Sequence, residues 1–303
     1  MIKNPVEAFS AYLKMTDRLP KLSAQSLVPV YLSEITDLID DIDVFFFDGY
    51  GVLNVGLSAI PRAVENVHKL QEANKGVFVV TNAATQDMPA LMNKYKRMGF
   101  NFKPWQVINS REVMLEQFLI QPDLSTQILG VISPPDFRPV TTYQEVYPED
   151  PKFWQADQFL FLSTLCWNES LQQQFVKALD SHPRPVWVGN VDLIAPLEHG
   201  VSREPGSYTL MLDERLFEKV NCFGKPFQPI FEKAMRRAKE HTGITDLNRM
   251  VMVGDTLHTD ILGGAIMGMK TVLVTGSGFL RGLNVEEHID AADIKPSYIL
   301  DSI

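Results

Sequence analysis

The stretch that most constrains the fold runs from Val44 to Leu53, with the sequence VFFFDGYGVL. Four apolar residues, Val44–Phe47, end in Asp48, and two glycines follow within three positions. An apolar run of this length, bounded by turn residues, is typical of a strand buried on both faces. Asp48 then lies where the carboxyl end of the strand opens into a loop, which is where open α/β sheets place their functional groups.

Three later stretches also place polar side chains at the ends of apolar elements. They are Thr81 and Asn82 after Val77–Val80, Lys225 before the helix-like run Phe227–His241, and Asp255 and Asp260 after Met250–Val253. Strand, loop and helix patterns alternate on both sides of a middle region that has a different sequence pattern. This alternation predicts an α/β fold, with a doubly wound, parallel, Rossmann-like sheet and an inserted α/β unit.

The 303 residues are enough for two such units. We expect an N-terminal helical extension over residues 1–30 and a core made of residues 31–87 and 213–303. We expect the inserted unit over residues 88–212, since the texture changes near residue 88 and several prolines follow.

Charge and hydropathy narrow the class of protein. The net charge of −9 and the isoelectric point of about 5.2 argue against a nucleic-acid or anionic-membrane partner. The first twenty residues hold neither a signal-peptide core nor a run long enough to span a bilayer. We therefore expect a cytoplasmic protein, with its oligomeric state open, a homodimer included.

The polar residues complement one another chemically. Carboxylates, a lysine and neutral donors at neighbouring strand ends suit a phosphoryl group bridged to Mg²⁺, which prefers oxygen ligands. Taken alone, Thr81 and Asn82 are common turn chemistry, and Lys225 could be a solvated surface residue. The pair Asp255 and Asp260 is the stronger signal, although the dipole of a helix start would also favour Asp260.

In combination these residues resemble the four motifs of the haloacid dehalogenase superfamily. The motifs begin at Asp48, Thr81, Lys225 and Asp255. The gap of 225 − 81 = 144 residues between the second and third motifs leaves room for a cap domain, as in the NagD-like and p-nitrophenyl-phosphatase-like branch. Asn190 and Asp192 resemble the Asn-Pro-Asp segment of that branch, so they are predicted substrate or cap residues.

The resemblance implies a role for each residue. Asp48 would be the nucleophile that forms an aspartyl-phosphate. Mg²⁺ would be held by Asp48, the backbone carbonyl of Tyr50 and Asp255. Thr81, Asn82 and Lys225 would bind the phosphoryl group, and Asp260 would support the site. The implied activity is a magnesium-dependent phosphohydrolase that acts on a small phosphate monoester, such as a sugar phosphate, a nucleotide or an aryl phosphate.

Tyr50 departs from the phosphatase pattern, which has an acid/base Asp at this position. An unperturbed tyrosine has a pKa of about 10, so it is a poor general base near neutral pH. Activity is therefore expected to be weak. Two alternatives stay open: a phosphometabolite-binding protein built on a disabled phosphatase, and a metal-independent dehalogenase-like hydrolase, since dehalogenases carry Tyr here. Asp255 and Asp260 favour the phosphatase over the dehalogenase.

Overall fold

A computed structural model of the chain describes residues 2–23, 26–121, 127–139, 141, 143–209 and 212–303. The strands in these residues are β1 (Val30–Tyr31), β2 (Val44–Phe47), β3 (Asn54–Val55), β4 (Ser58–Ala59), β5 (Gly76–Thr81), β6 (Val107–Asn109), β7 (Ile128–Ile132), β8 (Gln144–Val146), β9 (Gln158–Phe161), β10 (Val186–Val188), β11 (Ile194–Pro196), β12 (Val201–Arg203), β13 (Val220–Cys222), β14 (Met250–Gly254), β15 (Lys270–Val274) and β16 (Tyr298–Leu300). The α-helices are α1 (Pro5–Lys14), α2 (Pro61–Glu72), α3 (Met88–Arg97), α4 (Ser110–Leu119), α5 (Glu169–Ser181), α6 (Pro205–Thr209), α7 (Glu214–Phe217), α8 (Gln228–Thr242), α9 (Leu262–Ile266) and α10 (Val285–Ala292).

The larger sheet has seven parallel strands in the order β1-β16-β15-β14-β2-β5-β6. From β2 the chain adds β5 and β6 on one side, and it later adds β14, β15 and β16 on the other. The strand order therefore reverses beside β2, and ligands of open α/β sheets bind at such a switch point. Asp48 is the first residue after β2.

The central strand β2 is buried on both faces, as its composition predicts. Phe45 and Phe47 pack into the apolar cluster that includes buried residues of α2 and α3. Val44 and Phe46 pack on the opposite face, with buried residues of α4 and α8. Successive strand residues point to opposite faces, so four apolar residues in a row require helices on both sides of the sheet. The predicted doubly wound α/β class is confirmed.

The second sheet has five strands in the order β13-β10-β9-β7-β8, again parallel. We call residues 127–222, which carry this sheet, the inserted unit. Helix α4 joins the two sheets, because its Val113, Met114 and Phe118 share one apolar cluster with Phe46 of the larger sheet and Leu160 of the smaller one.

The predicted boundaries of the inserted unit, residues 88 and 212, do not coincide with the points at which the chain passes from one sheet to the other. Strand β6 pairs with β5 in the larger sheet, whereas β13 pairs with β10 in the smaller one. The change of sequence pattern at residue 88 marks the start of the amphipathic helix α3, whose Leu91 and Tyr95 face the core. We therefore propose a core of residues 31–121 and 223–303, with the inserted unit between them.

The N-terminal stretch contains the expected helix, α1. Its Ala8, Phe9 and Tyr12 are buried in a cluster with Leu257 and Ile261 of the larger unit. The N-terminal residues thus pack directly behind the loop that carries Asp255 and Asp260. None of the helices in the described residues is both long and apolar enough to cross a membrane.

Candidate active site

Three neighbouring strands of the larger sheet bring their functional residues together. Strand β2 lies between β14 and β5, with Phe47 opposite Val253 on one side and Val79 on the other. Parallel strands end at the same edge of a sheet, so Asp48, Thr81 and Asp255 emerge side by side. The backbone N–H of Asp48 donates to the carbonyl oxygen of Val253 at 2.9 Å, which fixes the loop at its origin.

Lys225 is the buried cation of the site. Its Nζ lies 2.6 Å from Asp48 Oδ1 and 2.7 Å from Asp260 Oδ1, and the side chain is 1 % exposed. Burial lowers the pKa of Lys225, but Asp260, Asp48 and Asp192 outweigh this effect and raise it above its usual value. The lysine therefore stays charged throughout the working pH range, and it can neutralise negative charge beside Asp48.

The acidic groups form one cluster. Asp48, Asp255 and Asp260 each place a carboxylate oxygen within 4.8 Å of the others. Burial raises the pKa of Asp48 to about 6, although the Lys225 ammonium opposes this shift. Burial, Asp260 and Asp48 together raise the pKa of Asp255 well above its usual value. Carboxylates held this close repel one another, so the cluster favours binding of a cation.

Asp255 lies in a close-fitting backbone cradle. A Cβ on Gly51 would lie 2.1 Å from Asp255 Oδ2, and one on Gly278 would lie 2.2 Å from the same atom. The carboxylate also accepts hydrogen bonds from the Phe279 N–H at 2.8 Å and the Thr256 hydroxyl at 2.9 Å. Only glycines permit this approach, and the orientation of the carboxylate is therefore set before any ligand arrives.

Asp260 is turned toward Lys225 by a π-helical turn, Leu257–Ile261, that precedes α9. Its second oxygen, Oδ2, accepts the N–H of Thr256 at 3.1 Å. Both oxygens thus have partners within the core unit. This geometry fits the predicted supporting role, in which Asp260 holds Lys225 in place.

Asn82 links three parts of the site. Its Oδ1 accepts the Lys225 N–H at 2.7 Å, and its Nδ2 donates to Asp192 Oδ1 at 2.8 Å and to the Lys225 carbonyl at 3.1 Å. The sequence predicted Asn82 as a phosphate ligand, but these bonds already occupy its side-chain amide. Thr81 lines the pocket as predicted, and its Oγ1 accepts a hydrogen bond from the N–H of Ala83 at 3.3 Å.

A pocket of about 280 Å³ opens above this cluster, between the core and the inserted unit. The core contributes residues at the ends of β2 and β5, and the inserted unit contributes the loops after β9 and β10 and the hairpin of β11 and β12. Its polar lining residues are Asp48, Tyr50, Thr81, Asn82, Thr85, Gln86, Thr164, Asn190, Asp192, Ser202 and Glu204. The predicted cap residues Asn190 and Asp192 therefore do lie at the pocket.

Tyr50 forms part of the pocket wall. Its ring lies against Lys94, whose Nζ is 3.8 Å from the ring centroid. Burial, followed by the charges of Glu204, Glu198 and Asp48, raises the pKa of Tyr50 to about 12. The phenol is therefore neutral at any physiological pH, so it can donate a hydrogen bond but cannot act as a base.

Two family models match the chain, one from β2 to the start of the inserted unit and one from the end of the inserted unit through the rest of the core. The model described as haloacid dehalogenase-like hydrolase matches residues 45–135, and the HAD-hydrolase-like model matches residues 222–303. These matches contain Asp48, Thr81, Lys225, Asp255 and Asp260 of the site just described. The chain belongs to the haloacid dehalogenase-like hydrolases. The recognition made from the four motifs is thereby confirmed.

Several relatives align with this haloacid dehalogenase-like chain over most of its length. Human glycerol-3-phosphate phosphatase is 27% identical, over 88% of this chain and 90% of its own. Bovine chronophin is also 27% identical, over 89% and 93% respectively. The fold is similar to that of a possible sugar phosphatase from Cytophaga hutchinsonii, with a TM-score of 0.78, 22% identity and coverage of 91% and 98%. NagD from Escherichia coli has a TM-score of 0.61 at 21% identity, with coverage of 86% and 97%.

Two residues at or beside this haloacid dehalogenase-like site were not predicted. Glu204 lies in the pocket, where burial raises its pKa to about 7. Tyr12 of α1 stacks on His258, with ring centroids 4.7 Å apart, and its hydroxyl accepts the Leu193 N–H at 3.2 Å. The residues after Glu204, Pro205–Ser207, are a turn signal that could have located it. No sequence signal places Tyr12.

Proposed function

We propose that this protein is a magnesium-dependent phosphatase that hydrolyses a small phosphate monoester through an aspartyl-phosphate on Asp48. The observation that carries the proposal is the buried ion pair of Lys225 Nζ with Asp48 Oδ1, at 2.6 Å. A fixed cation beside a nucleophilic carboxylate reduces its repulsion from an incoming phosphoryl group. The named phosphatases among the relatives support the same reaction class.

The residues of the cluster fit Mg²⁺, because they offer hard oxygen donors in a pre-oriented setting. Asp48, the backbone carbonyl of Tyr50 and Asp255 would hold the ion, and the cradle of Gly51 and Gly278 keeps Asp255 in position. When bound, the ion would neutralise charge on the phosphoryl oxygens.

The side chains of the chain then have separate tasks. An oxygen of Asp48 attacks phosphorus, and the bond from phosphorus to the leaving oxygen breaks. Lys225 and the Thr81 hydroxyl hold the phosphoryl oxygens, and Asp260 keeps the Lys225 ammonium in place through the 2.7 Å contact. Asn82 positions Lys225 and Asp192 relative to each other rather than binding phosphate.

The charges of the pocket restrict the substrate. Among the described residues that line it, none is Lys, Arg or His, whereas three are acids: Asp48, Asp192 and Glu204. A second anionic group on the substrate would meet these acidic side chains, with no cationic side chain in the lining to balance it. The organic part is therefore uncharged or cationic, as in a polyol, sugar or amino-alcohol phosphate.

The test is phosphate release from a panel of sugar, polyol, nucleotide and aryl phosphates, with Mg²⁺ or with a chelator. We expect activity with Mg²⁺ only, and no turnover in Asp48→Asn. Asp180→Asn, which changes an exposed aspartate, is the matched control and should retain activity. Full activity in chelator would instead favour a dehalogenase-like hydrolase. Binding of phosphate esters without turnover would favour a phosphometabolite-binding protein.

A further inference from the structure

The proposed reaction needs a proton donor and acceptor that Tyr50 does not supply. The leaving oxygen must gain a proton in the first half-reaction, and a water must lose one in the second. Because the pKa of Tyr50 is raised to about 12, its phenol cannot alternate between the two states near neutral pH. Another titratable side chain in the same pocket therefore has to carry this proton.

Glu204 has the required placement. It follows β12 in the inserted unit and lines the pocket that also contains Asp48 and Thr81. Among the charges that raise the pKa of Tyr50, that of Glu204 has the largest effect, ahead of Glu198 and Asp48. Glu204 is thus the charged group that acts most strongly on Tyr50, the residue that stands where family phosphatases carry their acid/base aspartate.

The hydrogen bonds of Glu204 hold it in one orientation. Asn190 Nδ2 donates to Oε2 at 3.0 Å, and Asn190 Oδ1 accepts the Asp192 N–H at 2.9 Å. A flip of the Asn190 amide would therefore lose both hydrogen bonds. On the other side, the Ser202 hydroxyl lies 2.5 Å from Oε1 and 3.5 Å from the carbonyl oxygen of Ala195.

Ser202 can accommodate both protonation states of Glu204. When Glu204 is ionised, the hydroxyl donates to Oε1. When Glu204 is protonated, the carboxylic acid can donate to the hydroxyl oxygen, and the hydroxyl proton can turn toward the Ala195 carbonyl. A hydroxyl rotates to suit its partners, so the pocket stabilises neither state alone.

We propose that Glu204 is the general acid and general base of the reaction assigned above to Asp48. In the first step an Asp48 oxygen bonds to phosphorus, the bond to the leaving oxygen breaks, and that oxygen takes the proton of Glu204. In the second step the ionised Glu204 takes a proton from a water molecule while the oxygen of that water bonds to phosphorus. The bond between Asp48 and phosphorus then breaks, which releases phosphate and restores both residues.

Other groups at the pocket are less suited to this role. Asp192 already accepts a hydrogen bond from Asn82 and interacts with Lys225, so it joins the two units. Lys94 lies against the Tyr50 ring but is not part of the pocket lining. Burial raises the pKa of Glu204 to about 7, and the Ser202 hydrogen bond opposes the shift only in part. Both protonation states are therefore populated near neutral pH.

The other titratable groups around the pocket come from three segments. Tyr50 and Asp48 line the pocket from the loop after β2, and Asp192 lines it from the loop after β10. Glu198 lies in the turn between β11 and β12, where its carboxylate accepts the Leu57 N–H at 2.8 Å. Glu198 is not part of the pocket lining, so it provides a matched acid on the same hairpin.

The experiment compares Glu204→Gln with Glu198→Gln in the magnesium-loaded, full-length enzyme. The proposal rests on the proposed phosphatase function, so Asp48→Asn is measured alongside. For Glu204→Gln we expect a loss of about 100- to 10,000-fold with an alkyl phosphate, and a much smaller loss in the first half-reaction with an aryl phosphate, whose leaving group needs no proton. Glu198→Gln should stay near wild type.

The pH profile separates a proton carrier from a structural residue. For an alkyl phosphate, kcat/KM of the wild type should fall as pH rises above about 7, because ionised Glu204 has no proton to give. This limb should be absent in Glu204→Gln and present in Glu198→Gln. Rates and pH limb unchanged in Glu204→Gln, with Asp48→Asn inactive, would overturn the role of Glu204 alone. A wild type that hydrolyses no ester would overturn both proposals.

Discussion

Replacement of Lys225 by methionine tests how much this lysine stabilises the buried carboxylates of the site. The change leaves the carboxylates of Asp48 and Asp260 without their common cation, in a site where their side chains are 13 % and 0 % exposed. Removal of one partner from a buried ion pair costs about 3–5 kcal/mol, because the remaining charge stays buried and unpaired. For a chain of this size we expect a fall in Tm of roughly 6–10 °C.

The matched control is Arg215→Met. Arg215 Nη2 lies 2.6 Å from Asp180 Oδ1, the same separation as in the buried pair, but the two side chains are 55 % and 52 % exposed. Solvent screens such a pair, so its loss should cost about 0–1 kcal/mol. The comparison thus holds distance constant and changes burial.

The assay is urea denaturation of both variants and the wild type, in metal-free buffer at several pH values. Lys225 is the largest influence that lowers the pKa of Asp48, so its removal raises that pKa further above about 6. A carboxyl group with a raised pKa stabilises the fold while protonated, and it loses this contribution as pH rises. The deficit of Lys225→Met should therefore widen from pH 5 to pH 8. Equal, small losses in both variants would refute this account of the site.

Two further predictions concern the backbone cradle and the N-terminal helix. Gly51→Ala should abolish Mg²⁺-dependent activity, because its Cβ would lie 2.1 Å from Asp255 Oδ2. The control is Gly200→Ala, which has a similar positive φ and no atom within 4 Å, and it should cost only roughly 1 kcal/mol of stability. Equal effects of the two variants on activity would contradict the cradle. Tyr12→Phe should lower the free energy of unfolding by about 1–3 kcal/mol in urea denaturation, because the buried Leu193 N–H loses its acceptor, and an unchanged stability would contradict that contact.

The sequence predicted those parts of the fold that depend on local patterns. Val44–Phe47 is apolar at every position, so it had to be a strand covered on both faces, and the polar residue after it had to lie at the sheet edge. The same reasoning located Thr81 and Asp255. The helix-like run Phe227–His241 forms α8, which ends at Gly243 in a left-handed conformation, with φ of 74°.

Features that depend on tertiary contacts could not be predicted. Strands β6 and β13 have three residues each, and nothing in three residues specifies which sheet they join. Glu204 is one acid among many in the sequence, and its raised pKa comes from burial between two units. The hydrogen bonds of Asn82 to Asp192 and Lys225 could not be predicted for the same reason, since these partners lie 110 and 143 residues away in the chain.

The central claim is that Asp48 is phosphorylated during turnover. The most direct measurement is acid quenching of the enzyme during turnover of an aryl phosphate with Mg²⁺, followed by mass spectrometry of the peptide that spans residues 44–53. We predict a phosphorylated Asp48 in the wild type, greater accumulation of it in Glu204→Gln, where hydrolysis lacks its base, and none in Asp48→Asn. Steady phosphate release with no modification of Asp48 in either active form would contradict the claim.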